Sequence, residues 1–203
     1  MNAIDFAESS AGYESIAAVV RTCAKTTARF PCWPFEGQGV ITLLEFDVFM
    51  GGYFGDAVRL LCAQYGDSEL YACGASENAK LFYATHDFWP AFAIRRGDPA
   101  EQFRRALSTD RIPSSGYISQ MGILLDSISL VGDSKQWAAW GLREQNIVVL
   151  LSNDAFWVPK SAGLPTWTTE DLRDFSTLPL EWGSPANEWL HFRELLESQQ
   201  RQS

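Results

Sequence analysis

The run Ile147-Val148-Val149-Leu150-Leu151 constrains the fold most, because consecutive apolar residues leave a strand without a polar face. Such a strand belongs inside a sheet covered on both sides. Trp137 to Leu142, just before it, reads as its hairpin partner. The Gly132-Asp133-Ser134 turn leads into that hairpin from Ile123 to Val131, an apolar stretch compatible with helix or strand.

Helical signals lie upstream. Ile16, Val19, Val20, Cys23, Thr27 and Phe30 recur at three- and four-residue spacing and predict an amphipathic helix that Pro31 stops. Phe30 to Gly39 then reads as an irregular loop anchored by Trp33 and Phe35. Phe54, Val58, Leu61, Cys62 and Tyr65 form a second stripe, with Gly66 free to take positive φ at its end. Asp98-Pro99-Ala100-Glu101 caps a helix through Leu107. Strands are predicted at Leu70 to Cys73, Leu81 to Ala84 and Phe88 to Ile94, and Glu45 to Val48 alternates like a strand. Thr168 to Asp171 and Ser184-Pro185 start two last helices, and the polar tail from Ser198 is expected to fray. The expectation is one α+β domain over residues 1–203, a mixed, mainly antiparallel sheet flanked by helices.

Of 203 residues, 46% are hydrophobic and 20% charged, the balance of a packed globule. Asp126 and Asp133 interrupt the longest apolar stretch, so no membrane span is predicted, and the start of the chain shows no secretion signal. The cytoplasm is the expected location. A net charge of −9 argues against direct contact with nucleic acid and favours a basic protein partner.

Cys23, Cys32, Cys62 and Cys73 are scattered and only His86 and His191 complement them, which argues against a metal site. No phosphate-cradling, dinucleotide, nucleophile-elbow or metalloprotease motif is present, so no cofactor and no catalytic residue are assigned. The nearest approach to catalysis is a thiol with an imidazole, Cys73 or Cys62 with His86. Against it, both cysteines fall on predicted apolar faces and read as small buried hydrophobes.

The segment Ile128 to Leu150 carries a different message. Its apolar strand, Gly132-Asp133-Ser134 turn, Trp137-x-x-Trp140-Gly141-x-Arg143-Glu144 strand and final apolar strand resemble the end of the sheet in bacterial immunity-type proteins. Such proteins bind and block a cognate toxin in the producing cell. The resemblance implies a protein toxin as partner and offers Asp133, Trp137, Trp140, Arg143 and Glu144 as contacts. Trp137 and Trp140 cannot share one face of a regular strand, so one is expected in the core and the other toward an edge or groove. Turn-flanked Trp33, Phe35, Asp87, Trp89 and Trp157 complete the candidates. The competing readings are a small-molecule-binding domain or enzyme with a Cys/His site in an aromatic pocket, and a homodimer joined through exposed tryptophans.

Overall fold

A computed structural model describes residues 3–26, 28, 32–37, 39–74, 78–153, 161–166, 190, 192–194 and 197–198. The chain runs β1 (Ile4–Phe6), α1 (Ser10–Val20), β2 (Val40–Glu45), α2 (Phe46–Met50), α3 (Phe54–Tyr65), β3 (Leu70–Cys73) and α4 (Ala79–His86). It continues through β4 (Ala91–Ile94), α5 (Pro99–Ser108), a 3-10 turn at Pro113–Ser115, α6 (Met121–Leu124), β5 (Ser127–Gly132), β6 (Trp137–Leu142) and β7 (Ile147–Ser152). The seven strands form one sheet in the order β1-β4-β3-β5-β6-β7-β2, with every described pairing antiparallel. The α+β class is thereby established.

Helices cover both faces, which explains why β5, β6 and β7 are buried along their whole length. Successive strand residues point to opposite sides. Leu70, Phe92, Ile128, Leu130, Trp137, Val148 and Leu150 meet Phe49, Phe54, Leu61, Phe103 and Leu107 in one core. Cys73, Ala91, Val131, Trp140, Val149 and Leu151 meet Tyr13, Ile16, Ala17 and Val20 of α1 in the other.

Local chemistry sets the helix ends. Ser9 accepts from the Gly12 amide and Asp98 from the Ala100 and Glu101 amides, each satisfying donors that have no partner within the helix. Gly66 ends α3 at φ 70°, a conformation costly for a side chain with a Cβ.

Three expected elements need correction. The first helix ends at Val20, where the chain turns back so that Ala24 bridges to Phe35. Leu81 to Ala84, read as a strand, lies inside α4, because the Asn78 side chain accepts from the Lys80 and Leu81 amides and starts a helix there. Phe46 to Val48 likewise turns into α2, which tucks Phe46 and Phe49 under the sheet. The expected helix at 168–175, Trp157, His191 and the tail beyond Ser198 lie outside the described residues, whereas residues 190, 192–194 and 197–198 of the expected last helix are helical and Phe192 is buried in the core beside α1.

Candidate functional site

The structure scatters the sequence candidates. Trp137 and Trp140 do point to opposite faces, yet both are fully buried, because each face has its own core. The expectation that one reaches an edge or groove is therefore corrected. Phe35 is buried as well, and Trp89 is stacked between Tyr13 and Tyr83 at ring separations of 5.7 and 4.8 Å. Trp33 is half-buried and donates from Nε1 to the Gly37 carbonyl at 3.0 Å.

The charged candidates sit at different ends of the sheet. Arg143 clamps α6 by donating to the Leu125 and Gly122 carbonyls at 3.2 and 2.9 Å, with its guanidinium 4.9 Å from the Phe46 ring centre. Glu144 beside it is exposed. Asp133 occupies the turn at the other end of β6. Asp87 closes α4 in the left-handed conformation at φ 59°, fully in solvent contact.

Asp133 belongs to a carboxylate pair. Its oxygens accept from the Ser68 amide at 3.0 Å and the Ser68 hydroxyl at 2.8 Å. Asp67 accepts from the Trp137 indole and the Ser134 amide, both at 2.6 Å. Burial pushes Asp67 up, against the donors from Ser134 and Trp137, and its contact with Asp133 adds to the rise. Burial also opposes charge on Asp133, but hydrogen bonds from the Ser68 hydroxyl, from the Asp67 side chain and from the Glu69 and Ser68 amides together outweigh it and hold that carboxyl low. Of the two, Asp67 is the carboxyl more readily protonated and Asp133 the one more readily charged. The pair straps the loop after α3 to the β5–β6 turn, and Gly132 is needed there because a Cβ would overlap the Asp67 carboxylate.

The thiols are structural. Cys73 lies in the core beside α1, whereas His86 packs on Phe82 and Phe88, which belong to the opposite core. Burial pushes both Cys62 and Cys73 up to about 12. At pH 8, Ellman's reagent is therefore expected to modify half-buried Cys23 and Cys32 in the native protein, and Cys62 and Cys73 only after unfolding. Rapid native-state labelling of Cys73 would contradict that assignment. Among the described residues no group of three or more His, Cys, Asp or Glu side chains is placed to hold a metal. No described helix is long and apolar enough to cross a membrane.

Two surface features went unread in the sequence. The first is a depression of about 260 Å³ lined by Met50, Gly52, Arg104, Leu107, Gln120 and Ile123. Large apolar side chains surround it: Ile123 is 51% exposed and Tyr53, adjoining Gly51, is 72% exposed. The loop reaching it at Gln120 carries Tyr117 and Ile118, also half exposed. That loop is braced at its base, where Asp110 bridges to Gln120, the Asp110 carboxylate accepts from the Ser119 amide, and Ser119 Oγ accepts from the Ile112 amide at 2.8 Å.

The second feature, on another side of α5, is a groove of about 610 Å³ between β1 and α5. Arg111 lines it with the guanidinium carbon 3.7 Å above the Phe6 ring. Burial lowers the Arg111 pKa, with the charge of Glu8 opposing.

Fold and surface together define an antiparallel α+β domain covered on both faces, with an apolar depression and an arginine-lined groove on its surface. No family model matches the chain, and neither a curated protein nor a solved structure is similar to it.

Proposed function

We propose that this is a protein-binding domain of the immunity type, acting in the cytoplasm by covering a cognate toxin of basic character. One observation carries the reading: Tyr53 and Ile123 stay exposed at a shallow depression, and the loop that reaches it at Gln120, braced at its base by Asp110 and Ser119, carries exposed Tyr117 and Ile118. Exposed apolar groups gathered round a recess are what a partner buries first, and pre-ordering of the loop lowers the entropy lost on binding. The net charge of −9 speeds encounter with a positively charged partner. The resemblance of residues 128–150 to immunity-type proteins agrees with this function, although the aromatic residues of that segment serve the core.

The test is co-expression with the product of the adjacent open reading frame, followed by calorimetric titration of the purified pair. A stoichiometric complex is expected, and Ile118→Asp or Ile123→Asp should weaken it about 30-fold, the effect of losing roughly 2 kcal/mol at a contact centre. Unchanged affinity in both folded variants would reject this surface. Absence of any complex would reject the immunity reading.

A further inference from the structure

The groove between β1 and α5 points to a second binding site, independent of the apolar face. Among the described residues β1 is an edge strand, paired only with β4. Arg95 donates its amide to the Ala3 carbonyl and Ala7 donates to the Ala91 carbonyl, which fixes the parity of the ladder. Asp5 therefore exchanges both backbone bonds with Ala93, and the N–H and C=O groups of Ile4 and Phe6 face the open edge. Ala3, Ile4, Asp5, Phe6 and Glu8 form one wall of the groove along this edge.

The opposite wall is helical. Gln102, Arg105 and Thr109 follow one another along one side of α5 and its C-cap, over about 10 Å at 1.5 Å per residue, and Arg111 continues the wall. Neither Arg105 nor Arg111 has an ion-pair partner among the described residues, while Asp5 on the facing strand is engaged by Arg95 at 2.9 Å. The Arg111 Nε and the Gln102 Oε1 are buried without a hydrogen-bond partner among the described residues. Desolvated polar groups of this kind are rare in a finished interior and recur where a ligand completes the arrangement. In a chain of net charge −9, these two guanidinium groups line one recess, where Glu8 offsets part of the Arg111 charge at longer range and exposed Arg105 is left to meet a negative ligand.

We propose that this groove takes an extended acidic peptide segment of a partner protein, which adds to β1 as an eighth strand and presents carboxylates to Arg105 and Arg111. Backbone pairing with Ile4 and Phe6 supplies sequence-independent affinity, and the arginines choose acidic side chains over others. The helix opposite the edge strand fixes the depth of the groove, so only an extended chain has access to both walls.

A fluorescein-labelled seven-residue peptide of alternating valine and glutamate tests this on the full chain by polarisation titration, with hydrogen exchange read at single amides. The expected result is saturable binding, slowing of exchange at Ile4 and Phe6 by tenfold or more, and no binding of the same peptide with lysine in place of glutamate. Exposed Arg105→Gln should weaken binding about tenfold, the effect of one charge-assisted hydrogen bond. Arg111→Gln serves as a second variant, since Arg105→Gln leaves the Phe6 contact intact. The proposal is overturned if the peptide fails to bind at millimolar concentration or binds without protecting Ile4 and Phe6. It is equally overturned if Arg105→Gln binds as tightly as the parent protein, or if free glutarate binds as tightly as the peptide, which would mark a small-acid site.

Discussion

Asp67→Ala is expected to destabilise the protein by about 3 kcal/mol, since it strands the buried Trp137 indole N–H and the Ser134 amide together. Asp67→Asn should recover most of the loss, because the amide oxygen still accepts from the indole and its NH₂ replaces the proton facing Asp133. The sign of the pH dependence follows from the two shifts. Asp67 is raised above its ordinary value of 3.8, so its contribution is complete below that value and is lost as pH rises through the folded-state value. Asp133 is lowered, so its contribution is present above 3.8 and is lost as pH falls through its folded-state value. Urea melts of the parent and Asp67→Asn between pH 4 and 7 should therefore show the variant gaining relative stability as pH increases. A constant difference across that range would remove the shared proton from the account.

Trp140→Ala should cost about 3–5 kcal/mol, the range for emptying a large aromatic site in a closed core. Its ring is fully buried on the α1 face, opposite Val149 on one neighbouring strand and Ser129 on the other. The comparison with Trp137 sharpens the expectation. Trp140 Nε1 has no hydrogen-bond partner among the described residues, whereas Trp137 Nε1 donates to Asp67 at 2.6 Å. Trp140→Phe therefore discards an unsatisfied donor and should be milder than Trp137→Phe by about 0.5–1.5 kcal/mol, the net worth of the hydrogen bond that Trp137 makes. Equal effects in chemical denaturation would show that volume alone governs both sites.

These contrasts explain how far the sequence could be read. Helices with strong terminal chemistry were legible: Gly66 and Asp98-Pro99 mark ends that the structure keeps. So was the β6–β7 hairpin, since consecutive apolar residues can only be satisfied between two covering layers. Leu81-Phe82-Tyr83 misled because aromatic runs favour strands, whereas the Asn78 cap and the 4.5 Å approach of Phe82 to His86, one turn apart, belong to a helix. The tryptophans misled for another reason: opposite orientations imply one exposed ring only when a sheet has one covered face. The groove was invisible because β1 is three residues long and its facing arginines lie about a hundred positions away. The exposed apolar face escaped notice for the same reason, since Tyr53 and Ile123 flank one depression only after α3, α5 and α6 have packed.

The sheet order also dictates a waiting time during synthesis. Among the described residues β2 pairs with β7 alone, Glu45 lying opposite Ile147, so the earlier strand emerges about a hundred residues before this neighbour. At roughly 5–20 residues per second, a nascent chain holds Val40–Glu45 unpaired for about 5–20 seconds. Ile41, Leu43 and Leu44, destined for two different cores, remain solvated through that interval. The ribosome-bound chain is then a natural client for chaperones, and β2 is the segment through which premature release would lead to aggregation.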